Sequence, residues 1–195
     1  MIKAIIFDCF GVLTTDAWLP FKFEKFGNDP EKFEEAGRLN ALCDSGRISY
    51  DQFTQLIGDL SGYSGAQINK IISKNIANTE LLSFIKEHLK PLFKLGLLSN
   101  AGANWLDELI GSSNVVLFDV INLSCQTGYI KPNISAYTNI LFDLKIDNPE
   151  DCLFIDDQER YCDAAKALGL QVIVHKSNLS TVEQINNLLA AESDS

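Results

Sequence analysis

The chain has 195 residues and a formal net charge of −10, with 46% hydrophobic and 22% charged residues. It is too apolar for intrinsic disorder, and without a basic run it lacks the electrostatic footprint of a nucleic-acid binder. If such an acidic protein acts on anions, a local cation must overcome the global field, which points to a bound metal or a placed lysine.

Residues 2–7, Ile-Lys-Ala-Ile-Ile-Phe, are apolar and β-branched on both alternations, as in a parallel strand covered on both faces. The stretch is broken by Asp8 and Gly11, which excludes a signal peptide, and no run approaches the roughly 18 apolar residues of a spanning helix. The expectation is a cytoplasmic protein with no membrane association. The cysteines Cys9, Cys43, Cys125, Cys152 and Cys162 are scattered, without Cys-x-x-Cys, so neither a disulfide framework nor a zinc site is indicated.

Residues 15–78 contain no convincing strand. Phe23, Phe26, Phe33, Ala36, Leu39 and Leu42, and then Phe53, Leu56, Ile57 and Leu60, recur at helical spacing. Asp29-Pro30 reads as a helix start, Ser49 as a second cap, and Ser-Gly-Tyr-Ser-Gly at 61–65 as a break. This is an all-helical insertion after the first strand. Beyond it, short apolar runs at 93–99, 118–124, 152–156 and 171–175 alternate with helical patterns near 78–90, 104–110, 133–145, 159–168 and 179–191. Gly169 reads as a helix stop. Strand and helix in alternation predict an α/β fold, a parallel sheet flanked by helices. Its core would comprise 1–14 and 79–195, with 15–78 as the insertion. The final Ala-Ala-Glu-Ser-Asp-Ser reads as a frayed tail.

In an open parallel sheet, ligands bind beyond the carboxyl ends of the strands. Unusual residues stand there: Asp8 after the first run, Ser99-Asn100 after the second, Asp156-Asp157 after the fourth, and Lys131 in Gly-Tyr-Ile-Lys-Pro-Asn after the third. Two adjacent carboxylates at a buried strand end repel unless a cation compensates them. The set suits a carboxylate nucleophile, Asp8, beside a hard cation held by Asp8 and Asp157, with Ser99 and Lys131 on the anionic oxygens of a transferring group. All-oxygen ligation favours Mg2+ over zinc. The two histidines, His88 and His175, sit in no ligand-spaced motif.

Phe-Asp-Cys-Phe-Gly-Val-Leu, Leu-Leu-Ser-Asn-Ala-Gly, Gly-Tyr-Ile-Lys-Pro-Asn and the segment 152–169 together resemble the four ordered motifs of the haloacid dehalogenase-like hydrolase superfamily. The resemblance spans nearly the whole chain. It implies a Rossmann-like core, a small helical cap at 15–78, and Mg2+-dependent phosphoryl transfer from a small phosphorylated substrate through an aspartyl-phosphate. By motif position Asp8 would be the nucleophile, Ser99, Asn100 and Lys131 the substrate holders, and Asp157 a metal ligand with Asp156 in the same acidic shell. Ser-Gly-Arg-Ile-Ser-Tyr-Asp-Gln-Phe also resembles a cap motif of phosphatase-like members. The chain departs from the usual pattern at Phe10, where most phosphatases of the superfamily carry a second aspartate that protonates the leaving group. The Phe10 carbonyl can still ligate a metal, but its ring can move no proton. A phosphatase favouring good leaving groups is therefore expected. The alternatives are a 2-haloacid dehalogenase, whose branch also has an aromatic residue there and uses no metal, or a catalytically impaired ligand- or protein-binding descendant. Trp18, Lys22, Lys25, Arg38 and Arg47 are the cap residues whose chemistry suits substrate selection.

Overall fold

The structure, a computed structural model, describes residues 1–193. Strand β1 (Ala4–Phe7) leads into helices α1 (Trp18–Phe26), α2 (Pro30–Asp44), α3 (Tyr50–Ser61) and α4 (Gly65–Ile72). Helix α5 (Thr79–Phe84) continues through a π turn at Ile85–Leu89 to strand β2 (Lys94–Ser99). Then follow α6 (Leu106–Ile110), α7 (Ser112–Val115), β3 (Val120–Leu123), α8 (Ser124–Thr127), α9 (Ile134–Leu144), β4 (Cys152–Asp156), α10 (Glu159–Ala167), β5 (Gln171–Val174) and α11 (Asn178–Ser193). The terminal Ala-Ala-Glu-Ser, expected to fray, belongs to α11, and residues 194–195 lie outside the described part. No described helix is long and apolar enough to cross a membrane.

The five strands form one sheet, parallel throughout, in the order β3-β2-β1-β4-β5, a Rossmann-like arrangement. Because side chains alternate across a strand, β1 supplies both faces. Ile5 and Phe7 join Leu81, Leu106 and Ile185 on one side, while Ala4 and Ile6 meet Ile140, Ala165 and Phe154 on the other. Double coverage explains why β1 is apolar at every position.

Helices α1 to α4 pack on a separate core that includes Phe26, Leu39, Phe53, Ile57 and Ile68. Their ends follow local chemistry. Asp29 accepts from Lys32 N ahead of Pro30, and Ser49–Gln52 and Ser64–Gln67 form capping boxes. Gly62 ends α3 at φ +79°, where a side chain would be strained.

The insertion rejoins the sheet at Asn78. Its side-chain amide donates to the Val12 carbonyl (2.8 Å) and to Asn178 Oδ1 (2.8 Å), and its carbonyl oxygen accepts from Asn178 Nδ2 (2.9 Å) and Leu81 N. One residue thus ties the turn after β1, the start of α5 and the start of α11. Asn78→Ala leaves these half-buried partners unsatisfied, and its expected cost is about 1–3 kcal/mol in urea unfolding. A change below a few tenths of a kcal/mol would show that the knot is replaced by water at no cost.

Candidate active site

The register sets the site. Phe7 is level with Leu97 on β2 and Ile155 on β4, so Asp8 and Asp156 emerge side by side from neighbouring strands. Between them lies the Lys131 ammonium, 2.6 Å from Asp8 Oδ1 and 2.6 Å from Asp156 Oδ2. All three residues are buried, Lys131 to 2% exposure and Asp156 to 0%.

Lys131 arrives from the loop after α8 and is fixed through its backbone. Asn100 Oδ1 accepts from Lys131 N at 2.8 Å, and Asn100 Nδ2 donates to Lys131 O at 3.0 Å. The amide of Asn100 is committed to this two-point clamp, so it positions the lysine. Asp156 is also fully engaged, since its other oxygen accepts from Gln158 N at 2.9 Å.

After Asp8 the chain turns sharply. The amides of Leu13 and Thr14 both donate to the Cys9 carbonyl, and Gly11 N donates to Thr14 O. These bonds leave the Phe10 carbonyl unused, while its ring packs on the main core and lines the cavity above. Gly11 has φ +87°, and a Cβ there would lie 2.5 Å from Asp157 Cγ, so only glycine lets the turn close on that carboxylate.

Burial acts on every charge here. It tends to lower the Lys131 pKa, but the carboxylates of Asp8 and Asp156 hold the ammonium well above its ordinary range. Burial raises the Asp8 carboxyl, against the pull of Lys131 and aided by Asp156 and Asp157. It raises Asp157 too, against the hydrogen bond from Gln158. Burial likewise pushes the Cys9 thiol up to about 12, which makes Cys9 a packing group.

Asp8, Asp156 and Asp157 each offer an oxygen, all within 4.8 Å of one another. Three carboxylates against one ammonium leave a formal deficit of two positive charges. Asp157 Oδ1 and the Phe10 carbonyl are engaged by no described donor, and Asp8 keeps Oδ2 free beside them. This hard, anionic donor set fits a divalent cation such as Mg2+. At the end of β2 the Ser99 hydroxyl is buried with no hydrogen-bond partner among the described residues, a state that costs about 1–3 kcal/mol, and Ser99 lies beneath the cavity lining and not in it.

Above lies a cavity of about 780 Å³ between the sheet and the helical insertion. Asp8, Phe10, Lys131 and Asp157 face it from the sheet side, and Trp18, Lys22, Asn40, Asp44, Tyr50 and Phe53 from the insertion. Tyr50 and Trp105 meet edge to face across it, with ring centroids 4.6 Å apart.

A family model of haloacid dehalogenase-like hydrolases matches residues 2–169. The chain belongs to the haloacid dehalogenase-like hydrolase family. Among solved structures, the hydrolase is similar to a predicted family member from Porphyromonas gingivalis, with 25% identity, TM-score 0.71, and 97% of this chain and 98% of that one covered. It is also similar to the family enzyme bt-2542 of Bacteroides thetaiotaomicron, solved in complex with magnesium and inorganic phosphate, with 26% identity, TM-score 0.69, and 91% and 96% covered. The L-2-haloacid dehalogenase of Xanthobacter autotrophicus shares the fold, with 20% identity, TM-score 0.62, and 95% and 82% covered. No curated protein matches the chain.

The hydrolase therefore brings Asp8, Lys131, Asp156 and Asp157 together, with Ser99 one register step away on the adjoining strand. Of the residues proposed to select substrate, Trp18 and Lys22 line the cavity. Arg38 instead pairs with Glu35 on the outer surface, Lys25 stacks on Tyr63, and Arg47 is exposed. Sequence reasoning passed over Asp16, Asp44 and Tyr161, all on the cavity wall. None carries a local signal: Asp16 reads as a turn residue and Asp44 as the end of a helix.

Removing the ammonium should expose the charge deficit. Lys131→Met is expected to lose about 3–5 kcal/mol in urea unfolding at neutral pH, because buried carboxylates remain unpaired. Adding Asp8→Asn should recover part of that loss, giving a coupling of about 1 kcal/mol or more. Strictly additive losses would mean that the two groups do not share an electrostatic environment.

Proposed function

We propose that this hydrolase is a Mg2+-dependent phosphatase of a small phosphorylated metabolite, with Asp8 as nucleophile. The observation that carries the reading is the buried Lys131 ammonium bonded to Asp8 and Asp156 beside Asp157. A 2-haloacid dehalogenase working without metal would leave the adjacent acidic pair only half compensated. The magnesium and phosphate bound by the Bacteroides thetaiotaomicron enzyme point the same way.

In this reading Asp157, the Phe10 carbonyl and the Lys131-bonded oxygen of Asp8 would hold the metal. Bound there, Mg2+ supplies charge neutralisation for the carboxylates and the phosphoryl oxygens. Asp8 Oδ1 is anchored on Lys131, which fixes the carboxylate plane and leaves Oδ2 to attack phosphorus. Lys131 Nζ and the Ser99 hydroxyl hold equatorial phosphoryl oxygens as negative charge spreads over them. Asn100 and Asp156 keep Lys131 in place, the first through its backbone and the second through its ammonium. The helical insertion acts as a cap that keeps water from the phosphoryl group. Attack forms the Oδ2–P bond, breaks the bond from phosphorus to the leaving oxygen, and leaves an acyl phosphate on Asp8 that water hydrolyses to phosphate and the free carboxylate.

The test is phosphate release from a panel of phosphorylated metabolites and p-nitrophenyl phosphate. Turnover should require Mg2+, stop with EDTA, and fall at least about 10²-fold in Asp157→Asn, whose fold stays intact. Halide release from 2-chloropropionate that survives EDTA would establish the dehalogenase reading in its place. Phosphate binding without turnover would mark an impaired descendant.

A further inference from the structure

A phosphatase with Phe10 two residues after its nucleophile has no carboxyl at that point to protonate the departing oxygen. The part of the cavity wall that the helical insertion supplies carries one. Asp44 ends α2, and this end of the helix is pressed directly onto the sheet domain. Gly102 runs so close beneath Cys43 that a Cβ would overlap its sulfur, and a Cβ on Gly46 would lie 3.0 Å from the Cys125 carbonyl. These close approaches on either side of Asp44 hold the end of α2 against the sheet domain, in the wall of the cavity that Asp8 and Lys131 also line.

One Asp44 oxygen, Oδ2, accepts from Asn40 Nδ2 at 2.8 Å, and the other is not engaged by a described donor. The remaining cavity groups suit proton transfer less well. Asp16 Oδ1 accepts from both Trp18 N and Leu19 N, so that carboxylate caps the start of α1. Neither histidine lines the cavity: His175 Nδ1 bonds Thr181, and His88 lies against Phe84. Glu108 is exposed at the rim.

We infer that Asp44, from the helical insertion, is the general acid and base of the reaction, taking the role that Phe10 cannot perform. The inference rests on the phosphatase reading. In the first step Asp8 Oδ2 bonds phosphorus, the bond from phosphorus to the leaving oxygen breaks, and the Asp44 proton passes to that oxygen, releasing an alcohol. In the second step the Asp44 carboxylate takes a proton from water as the water oxygen bonds phosphorus. The Oδ2–P bond then breaks, releasing phosphate and regenerating both carboxyl groups.

The environment suits both steps. Burial pushes the Asp44 carboxyl up to about 7, with Asn40 and Lys131 pulling down and Asp16 pushing up. Cys43 on its own helix and Cys125 on α8 also face it and interact with its charge. Near neutrality it is populated both as acid and as base, the condition for efficient proton transfer. With this donor in place, the penalty expected for alkyl leaving groups from Phe10 alone becomes small.

The experiment measures kcat/KM against pH for n-propyl phosphate and p-nitrophenyl phosphate with Mg2+. Because the protonated acid is required, the wild-type alkyl profile should fall as pH rises through about 7. In Asp44→Asn, alkyl turnover should drop about 10²- to 10⁴-fold and lose that basic limb, whereas aryl turnover should drop less than about tenfold. In Asn40→Ala, which removes a hydrogen bond favouring the ionised carboxyl, the basic limb should move to higher pH. This second variant decides the matter if Asp44→Asn fails to fold. Equal losses on both substrates in Asp44→Asn, or a limb that Asn40→Ala leaves in place, would overturn the assignment while wild-type turnover still upholds the phosphatase. A wild type inert towards both substrates would overturn the phosphatase reading, and this assignment with it.

Discussion

A lysine ammonium buried between two aspartates from neighbouring strands is the constraint on which the rest of this structure depends. A buried ammonium without partners would lose its proton, and two buried carboxylates without a cation would repel. Together they fix one another, but a third carboxylate, Asp157, leaves the group short of positive charge. The surrounding features serve that arrangement. The amide of Asn100 grips both backbone groups of Lys131, Gln158 N occupies the free oxygen of Asp156, and Gly11 makes room for Asp157. The site is thus stable enough to form yet keeps uncompensated negative charge that a divalent cation fits, which is how it differs from a structural ion pair.

The helical insertion answers to a different physics. Its own core of aromatic and branched side chains lets it pack as a unit, and its contact with the sheet domain includes the close approaches of Gly46 to the Cys125 carbonyl and of Gly102 to the Cys43 side chain, and the Tyr50–Trp105 ring pair. This division lets the sheet carry the charges while the insertion shapes the space above them. It also moves acid–base chemistry off the strand end. Phe10 turns its ring into the cavity wall, and the carboxyl best suited to proton transfer stands on the insertion.

Much of this was legible in the sequence, because the physics that places it is local or periodic. Double-sided apolar runs located all five strands, and the caps at Asp29 and Ser49 stood where their chemistry predicted. Strand-end position alone singled out Asp8, Ser99, Asp156 and Asp157. What escaped was decided by tertiary contact. That Asn100 holds a lysine 31 residues away follows from loop geometry, not from any feature of its neighbours. Arg38 and Arg47 had the charge for substrate binding, but Arg38 pairs with Glu35, Arg47 is exposed in the turn after α2, and neither lines the cavity. Asp44 looked like any solvated helix end until the fold closed a cavity around it. The α-helical pattern at 78–90 hides the π turn at Ile85–Leu89, whose extra residue per turn leaves no periodic trace over so short a stretch.

The central claim is that Asp8, held on Lys131, attacks phosphorus. It is tested most directly by acid-quenching the Mg2+-loaded enzyme during turnover of p-nitrophenyl phosphate and mapping the trapped adduct by mass spectrometry. One phosphoryl group is expected on Asp8, stable in acid and released in mild base, and absent from Asp8→Asn. A phosphoryl group on another residue, or steady turnover with no adduct on Asp8 at any quench time, would contradict it.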